Sequence, residues 1–240
     1  MIKSINLKTF LALMYFLIIS TGMYFLFSKI SLSDLTSFEF IKTNKDIILN
    51  YKNENFLFLN IIFFIFTIIW TLSMLFLTPL LLLSGFMFGK WWGILFIVLS
   101  TTIGATILYI IGIFFLRNFI LEKLSSKFSK LSNFFNKNDI LYFMFFRFVG
   151  GAGTPFPIQN LLPVLFNMPI KNYFIATLLG NTPPMFVTVA IGSGIEEIIE
   201  KNETLSFSTV LLSQEIYIPI FIFFVILFTA FVIKKFYLKQ

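Results

Sequence analysis

Residues 143–160 read FMFFRFVGGAGTPFPIQN. Arg147 stands in an apolar run, and Gly150, Gly151, Gly153, Pro155 and Pro157 follow it at once. A helix does not pass through that cluster intact. Proline removes a backbone donor, and glycine costs chain entropy in a helix interior. In hydrocarbon, each backbone group freed by such a break is costly unless protein or a wet cavity satisfies it. The stretch therefore predicts a re-entrant hairpin inside a membrane.

The rest of the chain agrees with a membrane setting. Its 240 residues are 58% hydrophobic and 12% charged, with a mean hydropathy of +0.92. That balance places it with polytopic membrane proteins rather than soluble domains. Cysteine and histidine are absent. Their absence excludes disulfides, thiolate metal sites, cysteine nucleophiles and the commonest general base. The net charge of +7 is read as membrane topology and contact with anionic headgroups, not nucleic acid. The 36 Phe residues are given no function of their own.

Five apolar segments read as transmembrane helices: Phe10–Phe27, Phe56–Leu77, Gly93–Leu116, Tyr173–Ile191 and Ile216–Ile233. The first follows Lys3 and Lys8 and has a signal peptide as its alternative. Asn118–Asp139 repeats its apolar residues at three-to-four spacing among lysines, as a basic surface helix or a plain connector does. Two apolar stretches are too broken to span. They are Thr78–Trp92, with Pro79, Gly85 and Gly89, and Ile140–Pro169, with the glycines above, Pro155, Pro157 and Pro163. Both read as hairpins that enter and leave on one side.

The two hairpins look like copies. Thr78-Pro79 recurs as Thr154-Pro155, Gly104 as Gly180 and Thr106 as Thr182, each 76 residues on. The predicted fold is an all-α polytopic membrane protein, with about five transmembrane helices and two re-entrant hairpins in an inverted repeat. Its divisions are 1–55 (first helix and polar loop), 56–195 (hairpin core) and 196–240 (acidic loop, last helix and basic tail). On this layout 13 of the 18 basic residues share one side, which the positive-inside rule makes cytoplasmic. Lys3 and Lys8 then fall outside, against the rule. Inverted repeats of broken helices are a transporter design, with the site where the repeats meet.

Two stretches resemble a known family. They are TPLLLLSGFMFGKWWGILFIVLSTTIGATILYIIG and FFRFVGGAGTPFPIQNLLPVLFNMPIKNYFIATLLGNTPPMFVTVAIGSGI. Each couples a Pro- or Gly-broken hairpin to a Gly-containing helix. With the linker between them, this layout over residues 56–195 resembles the DedA / VTT-domain superfamily, also called the SNARE-associated Golgi protein family. The resemblance implies two re-entrant hairpins packed tip to tip. It also implies a role in moving phospholipids or polyprenyl phosphates between leaflets, and in some members proton-coupled transport. The proton-linked branch carries membrane-embedded acids and a second arginine. Here all 11 Asp and Glu lie outside the apolar spans, and Gln159 and Asn160 follow Arg147. Carboxylate-based proton coupling is therefore not expected.

Arg147 is the leading candidate for chemistry. A charge at the centre of a membrane helix costs ~2.5–3.5 kcal/mol on insertion scales. A guanidinium repays such a site by binding phosphate with two prongs; its alternative is to snorkel to the interface. Gly150 and Gly153 either bring backbone N–H groups to an anion or only permit tight turns. Gln159 and Asn160 either bind a headgroup or cap the hairpin. Asn181 either packs or lines a path. Pro79, Gly85, Gly89, Pro155, Pro157 and Pro163 are expected to shape the hairpins. Lys90 beside Trp91 and Trp92 reads as an interfacial anchor.

The expected function is translocation or scrambling of an anionic lipid, a phospholipid or polyprenyl phosphate. The alternatives are an ion- or proton-linked transporter of small solutes and a membrane assembly factor. No enzyme, cofactor or metal site is expected without His, Cys or an embedded carboxylate. The expected partners are membrane lipids with anionic headgroups; a homo-oligomer stays open. Short loops fit a bacterial inner (plasma) membrane.

Overall fold

Among the residues that the computed structural model describes (21, 24, 54–122, 138–200 and 214–237), every element is helical and no strand occurs. The chain runs through α1 (Phe56–Leu72), α2 (Thr78–Ile111) and a π-helical turn (Gly112–Leu116). It continues through α3 (Asp139–Phe148), a 3-10 turn (Gly150–Gly153), α4 (Phe156–Leu161), a second 3-10 stretch (Leu162–Phe166), α5 (Ile170–Glu200) and α6 (Gln214–Tyr237).

Gly89 divides α2 into two limbs. Its backbone sits at φ 72, ψ 172, a region almost reserved for glycine. The chain doubles back there. Ser84 Oγ donates to the Gly93 carbonyl at 2.9 Å, although nine residues of continuous helix would hold them ~13 Å apart. A second reversal precedes α2. Met74 has φ 58, the Trp70 indole N–H donates to the Phe76 carbonyl at 3.0 Å, and the rings of Phe63 and Phe88 meet at 5.2 Å. So α1 enters, residues 78–88 return beside it, and the limb from Lys90 onward runs out parallel to α1. The ring contact of Phe64 with Phe96 and the contact of Thr71 with Gly104 fix that direction.

The expected helix Phe56–Leu77 is shorter in the structure: it stops at Leu72 after 17 residues, ~26 Å at the usual rise. It forms the first limb of a helical hairpin whose turn is residues 73–77. Gly89 is the base turn into the long limb. The hydrophobicity of residues 73–77 hid the break, because a positive φ at methionine has no signature in hydropathy.

The second unit repeats the first. α3 enters, the glycine turn reverses the chain, and α4 with its 3-10 extension returns to Asn167, whose φ is 51. α5 then departs. Met74 and Gly150, both at positive φ, differ by 150 − 74 = 76 positions. A Cβ on Gly104 would lie 2.8 Å from Thr71 Cβ and 3.1 Å from the Ile68 carbonyl. A Cβ on Gly180 would lie 2.7 Å from Arg147 Cβ and 2.5 Å from the Met144 carbonyl. All three positions, 68, 71 and 104, recur 76 residues on. Each entering limb is thus clasped against the long helix of its own unit at a glycine.

The two units point opposite ways. Tyr109 stacks on Tyr173 at 4.3 Å, Thr101 Oγ1 approaches Met185 Sδ at 3.9 Å, and Trp91 meets Phe186 at 5.5 Å. Along those contacts α2 ascends as α5 descends. One buried cluster centres on Phe63, Trp70, Phe88 and Ile97, and a second on Tyr109, Phe143, Val164 and Tyr173.

Thr78–Phe115 and Ile170–Ile195 are long and apolar enough to cross a membrane, by length and composition. They contain the expected helix Tyr173–Ile191 and all but the last residue of Gly93–Leu116. Shorter apolar helices are Phe56–Leu72, Phe156–Phe166 and Ile216–Val225; the last falls inside the expected Ile216–Ile233. All of Phe10–Phe27 except residues 21 and 24, nearly all of Ser28–Asn55, the middle of Asn118–Asp139 and residues 201–213 lie outside the described residues.

Candidate functional site

Arg147 sits in the last turn of α3, one turn before the glycine tip. It is only 1% exposed. Asn138 caps the start of α3, its side-chain oxygen accepting from the Leu141 N–H at 3.0 Å. At the same end Asn172 Nδ2 donates to Asp139 Oδ2 at 2.9 Å, which ties α3 to α5.

Among the described residues the guanidinium meets neutral partners alone. Nη2 donates to Asn160 Oδ1 at 2.6 Å and to the Tyr173 hydroxyl oxygen at 2.9 Å. The Tyr173 hydroxyl in turn donates to Asn160 Oδ1 at 3.3 Å. The guanidinium carbon lies 4.9 Å from the centre of the Phe143 ring and 5.8 Å from that of Tyr173. Such cation–π contacts contribute ~0.5–2 kcal/mol each. Nε has no hydrogen-bond partner. No carboxylate among the described residues comes within ion-pairing distance of this cation. A buried charge without a counter-charge is expensive, so a fold that keeps one holds an attractive point for an anion.

Each element has a reason to bring its residue here. Gly180 lets α5 press on the Arg147 backbone turn. Tyr173 lies seven residues before Gly180, two helical turns away on the same face. Asn160 reaches the site because α4 folds back beside α3, and its Nδ2 donates to the Phe156 carbonyl at 3.0 Å. Tyr109 stacks behind Tyr173 and donates to the Met168 carbonyl.

The other sequence candidates fall around this centre. Gln159 does not join it. Its Nε2 donates to the Thr154 carbonyl at 2.7 Å and the Gly150 carbonyl at 3.2 Å, holding the tip to the returning limb. Gly150 and Gly153 have φ 68 and 77, and nothing lies within 4 Å of where a Cβ would stand on either. The tip is therefore open as well as bent. Asn181 is buried one residue past Gly180 and makes no hydrogen bond to the cluster. Pro79 lies in the first turn of α2, Pro155 precedes α4, Pro157 lies in its first turn, and Pro163 begins the 3-10 stretch. Gly85 lies within the short limb, against the backbone of Val189, while Gly89 makes the reversal. Sequence reasoning missed Tyr173, Phe143 and Tyr109. The seven-residue interval from Tyr173 to Gly180 was the available signal.

Two oppositely directed units, each a hairpin clasped to a long helix, with a buried cation in one of them, define an all-helical membrane protein of the broken-helix kind. The VTT domain profile matches residues 75–194, half of the chain, and the chain belongs to the VTT-domain family. It is 30% identical over 135 residues to a Transmembrane protein 41 homolog of Caenorhabditis elegans, covering 55% of this chain and 54% of that protein. The Dictyostelium discoideum homolog is 28% identical over 185 residues, 73% of this chain and 53% of that protein. Transmembrane protein 41B of Mus musculus is 28% identical over 135 residues, 54% and 45% of the two chains. The chain thus spans about half the length of the curated relatives it matches. No solved structure matches it.

Proposed function

We propose that this chain moves anionic lipid, a phospholipid or a polyprenyl phosphate, between the leaflets of its membrane. The observation that carries the reading is Arg147. It is a cation buried at a hairpin junction, met by neutral groups alone among the described residues, with its Nε–H unpartnered. A headgroup phosphate supplies the missing charge. Gly180 lies ten residues after Ile170, ~15 Å along α5; with Ile170 taken at the membrane edge, we place Arg147 near the middle of a ~30 Å layer. A cation at that depth lowers the barrier where a phosphate is costliest. The reading needs no chemical step, and we take the protein to be a carrier rather than an enzyme.

Membrane placement follows from the limbs. Both hairpins are re-entrant, from opposite faces, and the long limb of α2 and α5 cross. Taking the expected crossings of Phe10–Phe27 and of the last helix with these, we place Lys29, Lys42, Lys45, Lys52, Lys90 and Lys201 on one side. The other side holds eleven basic residues: Lys3, Lys8, Arg117, Lys123, Lys127, Lys130, Lys137, Lys171, Lys234, Lys235 and Lys239. The positive-inside rule makes that side cytoplasmic, and Lys3 and Lys8 now obey it. The membrane is taken as a bacterial inner membrane.

Reconstitution into liposomes tests the function. Fluorescent phosphatidylglycerol is followed by chemical bleaching of the outer leaflet, beside protein-free liposomes, then polyprenyl phosphate in the same assay. The proposal expects protein-dependent bleaching of inner-leaflet lipid. Folded protein that moves neither lipid, yet takes up a small solute down a gradient, would sink it.

A further inference from the structure

The two units share a register but not a polarity. Arg147, Asn160 and Tyr173 stand 76 residues after Thr71, Ser84 and Ile97, and all six are buried. In the first unit Thr71 Oγ1 donates to the Thr67 carbonyl of its own helix, and Ser84 Oγ to Gly93 within α2. The side-chain hydrogen bonds of Thr71 and Ser84 stay within α1 and α2 and do not join α1 to the limb that returns beside it. The first returning limb is held instead by close backbone packing, Gly85 on Val189 and Gly192 on Leu82. The second is packed in the cluster around Tyr173 and is joined to α3 and α5 by the Arg147–Asn160–Tyr173 hydrogen bonds.

The geometry of that nitrogen matters. Nη2 and Nε form one two-pronged edge of the guanidinium. Both neutral oxygens sit on Nη2, and Nε is unpartnered while nine-tenths or more buried. An oxygen pair on a tetrahedral phosphate spans such an edge with two charge-assisted bonds, roughly twice as strong as neutral ones. The displaced groups stay partnered, because the Tyr173 hydroxyl already donates to Asn160 Oδ1. The open glycine tip at Gly150 and Gly153 lies one turn away.

We propose that the Nε–Nη2 edge of Arg147 is a phosphate seat closed by Asn160 and Tyr173, and that a lipid headgroup phosphate displaces them and releases the second returning limb. This rests on the lipid-moving reading for the source of the phosphate. It adds that the substrate opens its own path, at the second hairpin and not at the first.

The chain has no cysteine, so a single introduced thiol reports on the limb. Leu162→Cys lies on it, is fully buried, and takes no part in the seat; Val164→Cys is the second reporter if the first does not fold. Alkylation by N-ethylmaleimide is timed in nanodiscs of phosphate-free digalactosyldiacylglycerol, of phosphatidylglycerol, and of digalactosyldiacylglycerol with inorganic phosphate. Phosphatidylglycerol should speed labelling roughly five- to tenfold, a modest coupling between sites. Arg147→Met should abolish that response, and Asn160→Ala should label fast in every lipid. Equal rates in all three media, or no effect of Asn160→Ala, would overturn the seat. Acceleration by inorganic phosphate alone would overturn the lipid as its source. Leaflet exchange with an unresponsive thiol removes the seat and leaves the translocase; a responsive thiol without exchange does the reverse.

Discussion

A buried arginine is usually explained by its counter-ion, and Arg147 has none among the described residues. Three contributions oppose its cost: two hydrogen bonds from Nη2, the faces of Phe143 and Tyr173, and the tight packing of Gly180 against its stem. The charge itself is dispensable to the fold, since Asn160 and Tyr173 can satisfy each other without it. Replacing a buried ion by an apolar chain of similar volume is often neutral or stabilising. Arg147→Met is therefore expected to unfold within ~1 kcal/mol of the wild type, or above it, when titrated with SDS in mixed micelles. Asn160→Ala strips an acceptor from a buried cation and should cost ~2–3 kcal/mol in the same titration. The opposite order would mean that the arginine serves the fold and not a ligand.

The elements are set by where backbones approach and where they turn. Gly180→Ala places a methyl against the Met144 carbonyl and Arg147 Cβ, so α3 must move. Such overpacking costs ~1–3 kcal/mol, and leaflet exchange should fall with it because Arg147 is displaced. Gly104→Ala meets Thr71 and Ile68 in the same register. It should cost similar stability yet spare more of the exchange, because no charge lies beside it. Gly89→Ala meets no atom. Its loss, ~1–3 kcal/mol, comes from the backbone alone. These losses are readable in the same SDS titration. Equal exchange in the two clasp variants would argue that the units contribute alike.

At the scale of the molecule, much was legible in the sequence. The Thr-Pro pairs and the glycines 76 residues apart marked the repeat, because identical backbone demands select identical residues. Arg147, Asn160 and Gly150 were visible as polar or flexible residues in apolar surroundings. The limits of the first hairpin were not. Phe56–Leu77 carries no charge, and the turn at Met74 is made by a residue that rarely adopts positive φ. Tyr173 stayed hidden because an aromatic in an apolar helix looks like packing. On the proposed placement, a hairpin turn at residues 73–77 puts Lys90 outside and Lys171 inside. Lys90→Cys is accordingly expected to react with an impermeant maleimide from outside intact vesicles, and Lys171→Cys only after lysis. Labelling of both from one side would break the inverted arrangement.

The central claim is that a lone buried cation carries phosphate-bearing lipid past the middle of the membrane. Its most direct test compares wild type with Arg147→Met in liposomes containing fluorescent phosphatidylglycerol, both proteins first shown folded by size exclusion and SDS titration. The account predicts rapid inner-leaflet bleaching for the wild type and bleaching near the protein-free rate for a variant of equal stability. Equal bleaching by the two proteins would contradict it.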